Sequence, residues 1–386
     1  MYTFKTLNKI AAVGLLRLPA EHFAMDNDTP NPDALILRSA NMHDMPLPES
    51  LLCVARAGAG VNNIPIPACT ERAVVVFNTP GANANAVREL ALCALFLSAR
   101  DIVGGIEWAK GLTGDDVPKQ VEAGKGQFAG PELKGKTLGV LGLGAIGVGV
   151  ANAAHHIGMD VLGYDPYISV DSAWTLSRNV RPAGDIKQVF AESDYLTLHV
   201  PLNDSTKADL ADMLRCVKPG VRLLNFSRGE LLDTDALIAA LDGGVVERYV
   251  TDFPDGRLAK HPKVVPIPHL GASTPESEDN CAIMACDEVR DYLLHGTIKN
   301  SVNIPDTVLP HTPGYRLCVF HKNIPNVLSM ISGVMGEASI NIENMLSKSR
   351  KEIAYTLLDL SGLPKEPMVR KLKDHDGILR VRVLKI

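Results

Sequence analysis

Short apolar runs alternate with segments of helical periodicity along most of this chain. Apolar runs of strand length occur at residues 34–37, 51–54, 74–77, 195–200, 221–226, 247–251 and 264–267. The segment 84–105 repeats apolar residues on one helical face and predicts one long helix. Strands joined by helical crossovers predict parallel sheets that are covered on both faces, and hence an α/β fold.

One strand-to-helix transition carries a glycine pattern that fits a nucleotide. A strand, a glycine turn, a helix, a strand and an acid follow one another at residues 137–141, 142–147, 148–157, 160–164 and 165. This order is the dinucleotide-binding fingerprint. Because the fingerprint opens the second set of strands rather than the first, another domain must precede it, and we expect that domain to resume after it.

The fingerprint assigns a role to each glycine of Gly142-x-Gly144-x-x-Gly147. Gly142 allows the tight turn, Gly144 lets the backbone approach a pyrophosphate, and Gly147 lets helix and strand pack closely. Ala145 and Ile146 lie between these glycines and are expected to contact the cofactor, and the N-terminus of the following helix offers unpaired N–H groups and a partial positive charge to the phosphates.

The acid of the fingerprint, Asp165, indicates which dinucleotide is bound. It lies where a carboxylate would accept hydrogen bonds from the adenosine ribose hydroxyls. A carboxylate would repel a 2′-phosphate, and no arginine immediately follows Asp165, so the sequence favours NAD over NADP. The alternative to a cofactor site is a buried, glycine-rich strand and turn that binds no ligand, and the glycine spacing alone does not separate the two.

Composition narrows the class of protein. A chain of 386 residues is long enough for two or three domains, each with its own core. The net charge of −5 gives no reason to expect nucleic acid or an anionic membrane as a partner. Seven scattered cysteines without CxxC spacing predict neither a zinc site nor a disulfide framework. The N-terminus lacks the layout of a secretory leader, so we expect a cytoplasmic protein that binds no metal.

Three candidates for chemistry each follow an apolar run of the fingerprint domain, where α/β sheets bind ligands. The planar guanidinium of Arg228 can bind a carboxylate and a neighbouring oxygen. The imidazole of His269 can remove the proton of a hydroxyl group while a hydride leaves the carbon that carries this hydroxyl. Asp255 can hold the histidine in one tautomer. The structural alternatives are a surface ion pair, a structural histidine and turn chemistry, respectively.

The segments that contain these residues resemble the D-2-hydroxyacid dehydrogenase family. Asn-Phe-Ser-Arg-Gly and Pro-His-Leu-Gly are similar to the family's N-x-[SA]-R-G and P-H-[IL]-G, and the resemblance assigns catalytic roles to Arg228 and His269. The family's third catalytic residue is the Glu of D-V-F-x-x-E-P. Here the segment reads Asp-Phe-Pro-Asp-Gly-Arg, so Gly256 stands in its place. Either Asp255 substitutes for the Glu, or the histidine works without a close carboxylate.

The resemblance extends to substrate and cofactor contacts. Segments 56–63 and 78–85 are similar to the family's R-A-G-x-G-V-D-N and N-T-P-x-x-N. They imply substrate binding by Arg56, Gly58 and Asn78, and Arg38 matches an arginine that binds substrate phosphate in similar enzymes. Further cofactor contacts are expected at His199, Val200, Pro201, Phe226, Ser227, Asp252 and Gly271.

The family resemblance implies a split architecture. We expect a flavodoxin-like substrate domain at 1–97 and 283–310, interrupted by a Rossmann-type NAD domain at 98–282. A proline-rich linker at 303–313 leads to a ferredoxin-like unit at 314–386, read as strand, helix, strand, strand, helix, strand.

The C-terminal unit resembles an ACT domain. Segments 319–328 and 338–342 are similar to H-x-N-x-P-G-V-L and G-[IV]-N-I. The resemblance implies that ACT units pair and bind an amino-acid effector, serine, through His321, Asn323 and Asn341. Asn326 and Ser339 stand where the family commonly has Gly. Structural pairing without regulation is therefore the alternative.

The phosphoglycerate dehydrogenase branch of the family fits these segments best. It implies NAD-dependent oxidation of D-3-phosphoglycerate to 3-phosphohydroxypyruvate, the first step of serine biosynthesis, by a homodimer or homotetramer. One alternative is an NADH-dependent reductase of another 2-keto acid, such as hydroxypyruvate or glyoxylate. Another is a non-catalytic NADH-sensing protein, since the family Glu is missing.

Overall fold

The computed structural model describes residues 1–210, 212–310 and 312–386, so His311 of the predicted linker lies outside the described residues. The strands are β1 (Tyr2–Thr6), β2 (Phe23–Met25), β3 (Ala34–Leu37), β4 (Cys53–Arg56), β5 (Val75–Phe77), β6 (Thr137–Leu141), β7 (Asp160–Tyr164), β8 (Arg181–Pro182), β9 (Tyr195–Leu198), β10 (Val221–Asn225), β11 (Val246–Thr251), β12 (Val264–Pro266), β13 (Tyr315–Lys322), β14 (Ile342–Arg350), β15 (Ile353–Leu360) and β16 (Ile378–Lys385).

The helices are α1 (Ala12–Leu15), α2 (Ile66–Glu71), α3 (Ala84–Ala99), α4 (Ile102–Lys110), α5 (Val117–Gly124), α6 (Ala145–His156), α7 (Val170–Thr175), α8 (Ile186–Glu192), α9 (Asp204–Leu210), α10 (Thr234–Asp242), α11 (Pro275–His295), α12 (Val327–Glu337) and α13 (Glu366–Lys373). The chain divides into two compact units, 1–83 with 275–386, and 84–274. Within the described residues, no helix combines the length and apolar character that a membrane crossing requires.

The first unit contains a parallel sheet of strand order β2-β1-β3-β4-β5. This is the flavodoxin-like order. Strands β3 and β5 are buried along their whole length, as expected for a parallel sheet covered on both faces. The chain returns to this sheet through Asn303, which accepts a hydrogen bond from Val76 N (2.9 Å) and donates one to Val74 O (2.9 Å).

The C-terminal strands form a second sheet in the same unit, antiparallel and of order β14-β15-β13-β16. The order of elements predicted from the sequence is confirmed, and it is compatible with an ACT-like fold. Alternate residues of β13 face two cores. Leu317 and Val319 pack with α12 and α13, whereas Cys318 and Phe320 belong to the core of the N-terminal sheet.

Arginine side chains fix this second sheet to the segment around the C-terminal end of α11. Arg316 is fully buried, pairs with Asp359 through two hydrogen bonds (2.6 and 3.1 Å) and donates to His295 O (3.0 Å). Arg382 donates to Leu293 O at 2.7 Å. These contacts satisfy main-chain carbonyls that a helix leaves unpaired at its C-terminus. We predicted a separate unit at 314–386, but these residues share one compact unit with 1–83 and 275–310.

The second unit is built on a parallel sheet of order β12-β11-β10-β9-β6-β7-β8. The order reverses between β6 and β9, and α/β sheets bind ligands at such a switch point, beyond the carboxyl ends of the strands. The predicted α/β class with a Rossmann-type unit is confirmed.

The limits of the second unit differ from the predicted 98–282. Helix α3 belongs to it because Ala91 and Leu95 share a core with Val148 and Ala151 of α6. The single helix predicted over 84–105 is two helices, α3 and α4. The break falls at Asp101, whose carboxylate accepts a hydrogen bond from Gly104 N (3.3 Å) and caps the second helix.

Candidate active site

The glycine loop of the second unit joins β6 to α6. Gly142 has a φ of +86°, which favours glycine, and a Cβ there would lie 2.5 Å from the carbonyl oxygen of His199. A Cβ on Gly147 would lie 1.9 Å from the carbonyl oxygen of Gly142. A Cβ on the exposed Gly144 would meet nothing within 4 Å. The loop itself therefore requires glycine at its first and third positions, whereas the second is open to a ligand.

The carboxylate of Asp165 ties the glycine loop to the end of β7. It accepts hydrogen bonds from Leu143 N (2.8 Å) and Tyr167 N (2.8 Å). Each oxygen of a carboxylate has two lone pairs, so Asp165 can still accept hydrogen bonds from a ribose. The side chain thus shapes the loop and faces the same edge of the sheet.

The remaining predicted cofactor residues lie at the same edge, each beyond the carboxyl end of a parallel strand. The backbone N–H of His199 donates to Leu141 O (2.7 Å), and its ring Nε2 lies 2.9 Å from the Thr197 hydroxyl. Burial lowers the pKa of His199 to about 4, so this imidazole is neutral at physiological pH. Val200 and Pro201 follow it in the loop after β9.

Phe226 and Ser227 occupy the corresponding position after β10. Phe226 is buried, and the Ser227 hydroxyl donates to Leu198 O at 2.7 Å. This bond fixes the turn that precedes Arg228.

His269 stands in a turn that a buried carboxylate holds in place. Its φ is +53°, a value that few residues other than glycine adopt. Asp252, at the end of β11, is only 3% exposed and accepts hydrogen bonds from Leu270 N (2.8 Å) and Gly271 N (2.7 Å). Charge-assisted hydrogen bonds of this kind are short and strong. Asp252 therefore fixes the two residues that directly follow His269.

Arg228 and His269 approach the same aromatic ring. The centroids of the Phe253 and His269 rings are 4.8 Å apart, and the guanidinium carbon of Arg228 lies 5.9 Å from the Phe253 ring centroid. Both Arg228 and His269 are exposed. The imidazole and the guanidinium that the sequence assigned to catalysis thus both lie beside the ring of Phe253.

Asp255 is engaged by its own turn. Its carboxylate oxygen Oδ1 accepts hydrogen bonds from Arg257 N (2.8 Å) and Leu258 N (2.8 Å). The bond from Leu258 is the main cause that holds the pKa of Asp255 below its usual range. Within the described residues, no hydrogen-bond partner of the His269 imidazole is found. This geometry fits the turn role of Asp255 and does not pair it with the histidine.

A cleft of about 640 Å³ opens beside His269. Asp255, Phe253, Glu230 and Thr234 line it. Sequence reasoning missed Phe253, Glu230 and Thr234, although the aromatic residue of D-V-F and the residue after Arg-Gly mark two of them. It assigned Asp252 to the cofactor and did not foresee that Asp252 holds the histidine turn.

The predicted substrate residues gather at the carboxyl edge of the sheet in the first unit. Arg38 follows β3, Arg56 ends β4, and Asn78 follows β5. Asn78 donates to Ala59 O at 2.6 Å, which ties two of these loops together. Gly58, in the loop after β4, has a φ of +156°, and a Cβ there would lie 2.5 Å from a guanidinium nitrogen of Arg56.

The guanidinium groups of Arg38 and Arg56 lie near one buried thiol. Burial raises the pKa of Cys281, and the charges of Arg38 and Arg56 both oppose that effect. Two positive charges therefore lie near one point on α11. Arg38 also forms a salt bridge with Glu278 at 2.5 Å, so an anionic ligand must share or displace that carboxylate.

The predicted effector residues do not converge within one chain. Both ring nitrogens of His321 are satisfied internally, by Lys322 O (2.8 Å) and the Thr356 hydroxyl (2.9 Å). Asn323 follows the end of β13, whereas Asn341 precedes the start of β14. Since both strands are antiparallel to β15, these two asparagines lie at opposite ends of the sheet.

The two positions where glycine was expected both have left-handed backbone. Asn326 has a φ of +70° and Ser339 a φ of +56°. Glycine adopts this conformation without cost, and asparagine tolerates it better than most residues. Both positions therefore have a backbone conformation that favours glycine, although neither residue is glycine.

Comparison with known proteins places the second unit in a family. Residues 108–271 match the family described as D-isomer specific 2-hydroxyacid dehydrogenase, NAD binding domain. The D-3-phosphoglycerate dehydrogenase of Haemophilus influenzae is 30% identical over 354 residues, which cover 86% of this chain and 81% of that protein. That of Synechocystis is 38% identical over 290 residues, covering 72% of this chain and 50% of that protein. This chain thus spans about half the length of several curated relatives that it matches.

Among solved structures, the NAD⁺-bound 3-phosphoglycerate dehydrogenase of Entamoeba histolytica is similar to this chain. The TM-score is 0.59 and the sequence identity 25%, with 78% of this chain and 98% of that chain covered. The matched part is longer than either compact unit, so it includes residues of both. The cofactor bound in that structure, NAD⁺, is the one that the glycine loop and Asp165 favour.

Proposed function

Because the chain belongs to the D-isomer specific 2-hydroxyacid dehydrogenase family, we propose that it oxidises D-3-phosphoglycerate to 3-phosphohydroxypyruvate with NAD, the first step of serine biosynthesis. The observation that carries the proposal is the approach of His269 and Arg228 to Phe253 at the ligand-binding edge of the NAD unit. In the oxidation of a 2-hydroxy acid, an imidazole can take the hydroxyl proton and a guanidinium can bind the carboxylate, while the hydride goes to the cofactor.

The glycine loop fits the cofactor. Gly144 is open to a pyrophosphate, the N-terminus of α6 favours its charge, and Asp165 favours a ribose without a 2′-phosphate. Bound NAD supplies the nicotinamide ring that accepts the hydride from the substrate's C2.

The chain's own residues then handle the proton and the charge. His269 accepts the proton of the C2 hydroxyl, on a turn that Asp252 holds fixed. Arg228 binds the carboxylate and stabilises the charge that develops on the oxygen at C2. The histidine acts without a carboxylate partner, which agrees with the absence of the family Glu at Gly256.

The first unit supplies the selectivity for phosphate. Arg38 and Arg56 lie at the carboxyl ends of the neighbouring strands β3 and β4, so their guanidinium groups would favour a dianionic phosphate over an uncharged group. Arg38→Ala should raise the KM for the phosphorylated substrate by roughly tenfold, since a charge-assisted hydrogen bond contributes about 1.5–3 kcal/mol. An unchanged KM would remove Arg38 from the pocket.

The activity is tested by following NADH absorbance with 3-phosphohydroxypyruvate, hydroxypyruvate and glyoxylate as substrates. We expect turnover that depends on the phosphate. Faster turnover of an unphosphorylated 2-keto acid would favour the reductase alternative. NADH binding without turnover of any substrate would favour a sensor.

Serine control and assembly are proposals of the same kind. Asn323 and Asn341 lie at opposite ends of one sheet, so a site that uses both needs two chains, as in a homodimer or homotetramer. Inhibition of NADH consumption by serine would support this, and its absence would leave pairing without regulation. All seven cysteines are free thiols, which fits a reducing compartment such as the cytoplasm.

A further inference from the structure

A buried carboxyl group of the first unit lies outside the residues assigned so far. Glu288, on α11, is 8% exposed and lines a cavity of about 690 Å³. Its Oε1 accepts a hydrogen bond from the side-chain amide of Asn300 at 2.8 Å. Its Oε2 is buried and has no hydrogen-bond partner among the described residues. Ionising a carboxyl group in this position is costly, because one of its oxygens has no hydrogen bond to stabilise the negative charge.

The partner of Glu288 is connected directly to the predicted substrate loop. Asn300 has a φ of +59°, and its carbonyl oxygen accepts a hydrogen bond from Asn78 N at 3.3 Å. Asn78 in turn donates to Ala59 O in the loop between Arg56 and Asn63. Two hydrogen bonds and one residue therefore separate the carboxyl group from a residue that we assign to the substrate.

We propose that Glu288 is a positioning residue: its buried carboxyl group holds Asn300, and through Asn300 the main chain of Asn78, in the arrangement that binds substrate. The assignment rests on the function proposed above. Ionisation of Glu288 strengthens the hydrogen bond from Asn300, but it also places a charge on the buried Oε2, which has no hydrogen-bond partner among the described residues. That charge favours arrangements in which the carboxylate reaches water and Asn300 is displaced, so substrate affinity falls at alkaline pH.

The surroundings of Glu288 support this direction. Burial raises its pKa to about 8, and the hydrogen bond from Asn300 lowers it. The carboxylates of Asp306 and Asp287 raise the pKa further, and Lys299 lowers it. Asp291 also lines the cavity, but it is paired with Arg290 at 2.9 Å. The protonated form is therefore the major one at neutral pH.

The test compares the KM for 3-phosphohydroxypyruvate of wild type and Glu288→Gln at pH 7 and pH 9. Glutamine keeps the acceptor for Asn300 and cannot ionise. We expect the wild-type KM to rise at pH 9 by roughly three- to tenfold relative to the variant, the size of one ordinary hydrogen bond, with kcat affected less. Asp291→Asn is the matched control on the same helix and should follow the wild-type curve.

Two further measurements separate this assignment from other outcomes. Asn300→Gly keeps the left-handed backbone and removes the amide, so its KM should be raised at both pH values and vary little between them.

Thermal unfolding reports on the protonation of Glu288 in a measurement that does not depend on enzyme activity. The folded state holds this proton between about pH 4.5 and pH 8 while the unfolded chain releases it, so wild type should lose stability relative to Glu288→Gln as pH rises through that window.

The outcomes point to different failures. A wild type that consumes no NADH with the phosphorylated keto acid would contradict the proposed function. An active wild type whose KM follows the same pH curve as Glu288→Gln, or a stability difference that does not change with pH, would contradict the role of Glu288.

Discussion

The glycine loop after β6 and the histidine turn after β12 lie at the same edge of one sheet, yet they are held in different ways. The glycine loop takes its shape mainly from close packing of its own backbone, since Gly147 must pack against Gly142, and Asp165 adds one hydrogen bond from Leu143 N. The histidine turn takes its shape from Asp252, which directly follows the neighbouring strand β11. The glycine spacing determines most of the first loop, whereas the second turn depends on a buried carboxylate from another strand end.

The two regions also differ in the role we assign to them: the glycine loop binds the cofactor, and the histidine turn transfers the proton. A loop of glycines and main-chain N–H groups presents no side chain that can move a proton, but it can hold a phosphate. The histidine turn presents an exposed imidazole beside Phe253 in a conformation that costs free energy. Damage to the first loop should therefore appear mainly in NADH affinity, and damage to the second mainly in turnover.

The largest effect is expected from His269→Ala. Turnover should fall by about 10²–10⁴-fold, the usual contribution of a general acid–base group, while NADH affinity stays near that of wild type. His269→Asn is the matched variant, because asparagine tolerates a φ of +53° and cannot act as a base. Comparable losses of turnover and NADH affinity in both variants would refute the base assignment.

The next effect is expected from Gly147→Ala. The added Cβ would lie 1.9 Å from the carbonyl oxygen of Gly142, so the loop must change shape. A cost of about 3 kcal/mol, at the upper end for overpacking, corresponds to roughly 100-fold in NADH affinity if the loop bears it. Fluorescence titration with NADH measures this.

Gly144→Ala is the control for that prediction. Its Cβ meets nothing within 4 Å, so thermal stability should remain that of wild type while NADH affinity still falls through crowding of the pyrophosphate. Unchanged NADH affinity in both glycine variants would place the cofactor elsewhere.

A smaller effect is expected from Asp252→Asn. The amide can accept only one of the two hydrogen bonds from Leu270 N and Gly271 N, and its NH₂ group faces the other donor. Loss of one charge-assisted bond costs about 2 kcal/mol, or roughly thirtyfold in turnover if the turn then misplaces His269. A kcat equal to that of wild type would mean that the turn does not need Asp252.

The smallest effect is expected from Asp255→Asn. The amide oxygen can still accept from Arg257 N and Leu258 N, and the imidazole has no bond to lose. Surface substitutions of this kind stay within about twofold in rate or equilibrium. A loss of turnover comparable to that of Asp252→Asn would instead make Asp255 the replacement for the missing family Glu.

The same contrast explains what could be predicted from the sequence. The glycine loop and the helix after it were predicted correctly, because spacing alone determines which glycine turns and which packs. Strands β1 and β2 were missed, since β1 alternates polar and apolar residues and β2 is only three residues long. The break at Asp101 was missed because a cap in the middle of an apolar pattern leaves the periodicity intact.

Roles that depend on contacts between different strand ends could not be predicted from the sequence. Nothing in the segment around Asp252 indicates that its carboxylate faces the backbone of Leu270 and Gly271. Likewise, the order of elements predicted for 314–386 begins with a strand, but it did not indicate that one face of β13 joins the core of the N-terminal sheet.

The most direct test of the central claim is an experimental structure of the protein with NADH and a substrate analogue. We predict the pyrophosphate on the N–H groups at the start of α6, with the nicotinamide beside Phe253 and the imidazole of His269 directed at the oxygen on C2 of the analogue. A nicotinamide bound away from His269 and Arg228, or an imidazole turned away from the analogue, would contradict the account.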